Sequence, residues 1–76
     1  MEASASIQVT VMIEWKATPL ELPAGLSVRA LLARLGLAEE GHWVAHNRTV
    51  LRRADYGRVQ LGEEDTVEVF RIVSGG

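Results

Sequence analysis

The chain has 76 residues, no cysteine and a formal net charge of -2. That length allows one small domain with a modest core, held by apolar packing without disulfides. The composition excludes a thiolate nucleophile and a cysteine-type zinc site, and the near-neutral charge argues against a nucleic-acid partner or strong attraction to a membrane. No apolar run approaches the ~20 residues needed to cross a bilayer, and the first six residues lack the basic flank and apolar stretch of a signal peptide. A cytoplasmic protein, monomeric when free, is the expectation. Seven of the eight basic residues are arginine, and Lys16 is the lone lysine.

Residues 1–6 are small and polar and read as a disordered lead. From Ile7 to Trp15 every odd position is apolar, and every even position is polar except Met12. That period of two predicts a strand with one buried face. Lys16-Ala17 is taken as the hairpin tip, and Thr18 to Leu22 as the returning strand. Pro19 cannot donate to a ladder, so this strand belongs on a sheet edge.

Pro23-Ala24-Gly25 breaks the strand. Ser27 stands where a helix N-cap belongs. Val28, Leu31, Leu32 and Leu35 then fall on one helical face, with Arg29 and Arg34 off it. Gly36 closes the helix and Leu37 supplies the apolar contact that accompanies such an ending. Leu26, just ahead of the cap, suits a hydrophobic staple. Ala38-Glu39-Glu40-Gly41 is a loop, and His42 to Asn47 is a third strand. Asn47-Arg48 is a turn in which Asn adopts the left-handed conformation. Thr49 to Arg52 is a short fourth strand, and Arg53 to Gln60 is irregular. A turn over Leu61 to Asp65 leads into a last strand, Thr66 to Ile72.

The order β-β-α-β-β-β predicts an α+β fold in which one helix covers a mixed sheet, and the β-grasp (ubiquitin-like) arrangement fits it best. There the first and last strands lie parallel in the middle and the second strand takes an edge. The expected core is Val9, Val11, Val28, Leu31, Leu32, Leu35, Leu51, Leu61, Val67 and Val69. The domain spans residues 7–72, and residues 73–76 form a flexible tail.

That tail, Val73-Ser74-Gly75-Gly76, carries the functional signal. Two glycines after a strand give a terminus without side chains and with free access to positive φ. Such a tail can thread a narrow slot and bring the Gly76 carboxylate to a partner's reactive centre. Glycine pairs also occur in linkers, which is the plain alternative.

The strand alternation points to a docking surface as well. Val67 and Val69 face inward, so Glu68 and Phe70 face outward. Met12 breaks the polar face of the first strand, and Val50 is outside if Leu51 is inside. Met12, Phe70 and Val50 are therefore candidates for a partner-binding cluster on the open sheet face, against the plainer reading that scattered exposed hydrophobics are ordinary. His42 and His46 have a spacing that suits a metal on a helix, but on a strand it separates them by about 13 Å. No metal site is expected.

Four stretches carry a resemblance to a known family. They are Leu22-Pro23-Ala24-Gly25 with the Val28 to Leu35 helix; Val44-Ala45-His46-Asn47 with Val50 to Arg53; Leu61 to Val69 with its acidic turn; and Ile72-Val73-Ser74-Gly75-Gly76. Together they cover roughly residues 7–76 and resemble the ubiquitin-like sulfur carriers of the ThiS/MoaD family, the thiamine-biosynthesis branch (ThiS) more closely than the molybdopterin branch. The family often has Asn-Gly where this chain has Asn47-Arg48, Asp-Gly-Asp where it has Glu63-Glu64-Asp65, and Trp where it has Tyr56.

The resemblance implies a carrier and not an enzyme. An E1-like adenylating partner would use ATP to activate the Gly76 carboxylate, and a sulfur donor would convert it to a thiocarboxylate. A sulfur-accepting partner would then take the sulfur; in the thiamine branch this is the thiazole synthase. Ser74, Gly75 and Gly76 would thread the partner's active site, and no cofactor would be bound by the carrier itself. Phe70 stands where the molybdopterin branch has an interface phenyl. The alternatives are the small subunit of molybdopterin synthase, a ubiquitin-like modifier joined to lysines through Gly76, and a plain β-grasp interaction module with incidental glycines.

Overall fold

A computed structural model describes residues 5–72. Five strands form one sheet: β1 (Ser6–Ile13), β2 (Lys16–Pro23), β3 (His42–His46), β4 (Thr49–Val50) and β5 (Thr66–Arg71). Among the described residues one α-helix, α1 (Val28–Leu35), follows β2, and a short 3-10 helix spans Arg53–Asp55. The strand order is β2-β1-β5-β3-β4, with β1 and β5 parallel at the centre and the other pairs antiparallel. This is the α+β, β-grasp layout that the element order predicts.

The first hairpin departs from expectation. Its tip is Glu14-Trp15, not Lys16-Ala17, because Ile13 pairs with Lys16 across a two-residue turn. Both tip residues have positive φ, 49° and 71°, as in the primed turns whose twist matches a β-hairpin. β2 is correspondingly longer than Thr18 to Leu22. Antiparallel pairs alternate between bonded and non-bonded, so counting from Ile13 and Lys16 places Thr10 opposite Pro19 in a non-bonded pair. The proline nitrogen then faces the open edge, where it costs no ladder bond. At the other end β1 begins at Ser6, which was expected in the lead. The Ser6 hydroxyl donates to Glu21 at 2.8 Å.

The helix is capped at both ends as its sequence dictates. The Ser27 hydroxyl accepts from the Ala30 N–H at 3.1 Å. Gly36 sits at φ 72° and its N–H donates to Ala33, while the Leu37 N–H donates back to Leu32. This pair of bonds satisfies carbonyls that the helix end would leave orphaned. The first turn is also tied down from outside. Val28 N–H donates to Val59 O, Arg29 N–H to Tyr56 O, and Leu61 N–H to Leu26 O. The segment expected to be irregular between Arg53 and Gln60 is thus laced to the start of α1.

Val28, Leu31 and Leu32 pack against Val9 and Val11 of β1, Val44 of β3 and Val67 and Val69 of β5. Ile7, Leu22, Tyr56 and Leu61 complete this cluster, and Ala45 is buried on the other face of the sheet. Leu35 and Leu51, expected inside, are only partly buried at its margin, while Ile7, Leu22, Val44 and Tyr56 were not foreseen. Thr49–Val50 is the whole of β4, shorter than the expected Thr49 to Arg52. Among the described residues no helix is long and apolar enough to cross a membrane.

Candidate functional site

One face of the sheet carries α1. The opposite face is set by register: Met12 lies beside Glu68, Phe70 opposite Trp43, and Ala45 between Glu68 and Val50. Cross-strand partners share a face, so Met12, Phe70 and Val50 are on the open side, as the alternation implies. Their exposures differ. Val50 is exposed, whereas Met12 and Phe70 are half-buried.

Two tryptophans account for much of the difference. Trp43, 54% exposed, stands across from Phe70 on β3. Trp15, 80% exposed, leans from the hairpin tip with its ring edge-on to Phe70, centroids 5.3 Å apart at 60°. Sequence reasoning missed both. A signal existed for Trp43, which alternates with the inward Val44. None existed for Trp15, whose odd position in β1 argued for the inner face until the turn rotated it out.

An open concavity lies at this end of the sheet, lined by Glu14, Trp15, Phe70 and Arg71. Arg71 reaches Glu14 at 3.7 Å, with both side chains mostly exposed. Such a pair contributes little to stability and is easily parted. The same end is where β5 delivers the chain toward residue 73. β5 is held on the β1 side as far as Val69, whose carbonyl accepts the Glu14 N–H, and on the β3 side as far as Ile72, whose N–H donates to Gly41 O at 2.8 Å. The tail residues singled out in the sequence, Ser74, Gly75 and Gly76, lie outside the described residues.

The other polar clusters are structural. The Asp65 carboxylate accepts from the Gly62 N–H at 2.8 Å and the Asn47 amide at 3.1 Å, and meets His46 Nε2 at 2.7 Å. Burial is the largest single influence on Asp65 and pushes its carboxyl up. Hydrogen bonds from His46, Gly62 and Asn47 outweigh it, so the group lies below its ordinary value. The Asn47 side-chain Oδ1 in turn accepts the Thr66 N–H at 2.8 Å. This network pins the β3–β4 turn to the start of β5.

Glu39 meets Arg29 at 2.6 Å and Arg53 at 3.2 Å. The Arg29 hydrogen bond chiefly holds its carboxyl below the usual range. His42 bonds the Ala38 carbonyl through Nδ1 at 2.7 Å, so each histidine has a local structural partner. Among the described residues no group of three or more His, Asp or Glu side chains is placed to hold a metal.

The ThiS family model matches residues 10–76. The chain belongs to the ThiS family. It is a ubiquitin-like sulfur carrier with the β-grasp fold that the family implies. Among solved structures, this ThiS-family chain is similar to the thiamine biosynthesis protein ThiS from Geobacter metallireducens. The identity is 26% with a TM-score of 0.69, over 88% of this chain and 99% of that one. It is also similar to a thiazole synthase of Magnetococcus marinus, 40% identical over 58 residues, or 76% of this chain. The match takes up 18% of that protein, so the carrier-like segment there is one part of a much longer polypeptide.

Proposed function

We propose that this ThiS-family chain carries sulfur as a thiocarboxylate on Gly76 and delivers it for thiazole formation in thiamine biosynthesis. A free carboxylate is a poor electrophile because its leaving group would be oxide. An E1-like adenylating enzyme therefore joins Gly76 to the AMP moiety of ATP and releases pyrophosphate. Sulfide (HS⁻) supplied by a donor then attacks the acyl carbon, AMP departs with the C–O bond pair, and the new C–S bond leaves a thiocarboxylate after loss of the proton. That soft sulfur is the nucleophile presented to a thiazole synthase.

The carrier supplies no catalytic group. It supplies reach, slimness and a fixed point of departure. Gly75 and Gly76 have no side chains to obstruct a narrow channel. The observation that carries the reading is the anchoring of β5, the central strand, which is bonded to β1 as far as Val69 and, on the β3 side, as far as Ile72. Four residues remain from there to Gly76, a reach of about 14 Å when extended. The relative in which a similar segment is part of a thiazole synthase supports that acceptor over the molybdopterin alternative.

Adenylation is reversible until the sulfur arrives, which supplies the test. The adenylating enzyme should exchange labelled pyrophosphate into ATP only when the carrier is present, and a chain lacking Gly76 should support none. Exchange that persists without Gly76 contradicts the proposal. High-mass conjugates formed through Gly76 would favour the modifier alternative instead.

A further inference from the structure

Trp15 occupies a position that its backbone discourages. At φ 71° it lies in the left-handed region, as does Glu14 at 49°. In a two-residue hairpin turn these places suit Gly, which has no Cβ to crowd the following carbonyl, or Asn and Asp, whose short polar side chains hydrogen-bond locally. Burial gives nothing back, since the side chain is 80% exposed. Its one aromatic contact is an edge on Phe70. An exposed tryptophan held in an unfavourable backbone state is a local conflict of the kind that collects at functional sites.

Position adds a second argument. Trp15 borders the concavity with Phe70 and Arg71, at the end of the sheet from which residues 73–76 continue. A protein that takes the tail therefore binds near this end of the sheet. The cation there is loosely held: Arg71 meets Glu14 only at 3.7 Å, with both groups mostly exposed. A bulky aromatic beside an exposed cation suits an apolar pocket with a carboxylate at its edge.

Resting on the carrier reading above, we propose that Trp15 is the anchor by which this chain recognises its sulfur acceptor, a thiazole-synthase-type enzyme. Trp15 inserts into an apolar pocket of that enzyme, and Arg71 meets an acidic group on its rim. Trp15 is a positioning residue: it touches neither the sulfur nor the acyl carbon. It fixes where the tail enters. The acceptor is preferred to the adenylating enzyme because the relative that incorporates a similar segment is itself a thiazole synthase.

The test uses the full-length chain and a thiazole synthase from the same genome, with Trp15→Asn and Trp15→Phe beside the wild type. Asn is at home in the left-handed turn, so Trp15→Asn should melt within a few degrees of wild type while its Kd for the synthase rises at least about tenfold. Trp15→Phe should keep binding within about threefold, since an aromatic anchor remains. Pyrophosphate exchange with the adenylating enzyme should be unchanged in both variants. Synthase binding by Trp15→Asn at wild-type strength overturns the anchor alone. So does a fall in Tm of more than about 10 °C, which would make Trp15 structural, or loss of exchange with synthase binding intact. Failure of the wild type to bind any synthase overturns the carrier reading as well.

Discussion

Trp15 and Phe70 meet edge to face across the end of the sheet, 5.3 Å between ring centroids, although they come from a turn and from the last strand. The contact explains why Phe70 is half-buried on a face that carries no helix. Phe70→Ala should therefore cost about 1–2 kcal/mol of stability, below the 3–5 kcal/mol of a fully buried Phe. Urea unfolding measures it. A cost in the core range would move Phe70 from the docking face to the core.

Leu31 offers the contrasting case. It has no exposed surface and packs at the centre of the apolar cluster. Leu31→Ala should lose about 2–5 kcal/mol, through lost transfer energy and the cavity left behind. That is a large share of the stability of a domain this size. A loss below about 1 kcal/mol would show that the core collapses readily around the gap.

Asp65 makes stability depend on pH in a stated direction. Its folded carboxyl lies below its ordinary value, so its contribution is fully present above the unfolded value of about 3.9. It is lost as pH falls through the lower folded value. Asp65→Asn should destabilise by about 1–3 kcal/mol at pH 7, because hydrogen bonds to a charged acceptor are weakened. The gap between variant and wild type should narrow below pH 4. Denaturant titrations at pH 7 and pH 3 check both statements.

Arg48 is in the second left-handed turn, at φ 72° beside Asn47 at 50°. A glycine there carries no Cβ to clash. Arg48→Gly should raise stability by up to about 1 kcal/mol, or a few degrees in Tm. A clear drop in Tm would mean that the arginine side chain has a stabilising partner that outweighs the strain.

Much of this architecture is legible in the chain. The alternation from Ile7 to Ile13 gives β1 its buried row, Ser27 and Gly36 mark the ends of α1, and Asn47 announces its turn. The alternation of Val67, Glu68, Val69 and Phe70 assigns both faces of β5. The Glu14-Trp15 tip is not legible, because neither residue favours positive φ; the pairing of β1 with β2 imposes it. The hold of Tyr56 and Val59 on the helix start is equally hidden, since it depends on long-range hydrogen bonds. Trp15 enters the candidate face only because the turn carries it out of the strand's own alternation.

The carrier proposal is tested most directly by intact mass. After incubation with the adenylating enzyme, ATP and a sulfur source, the chain should gain about 16 Da, the difference between sulfur and oxygen, and fragmentation should place the gain on Gly76. No gain, or a gain located anywhere before Gly76, would contradict it.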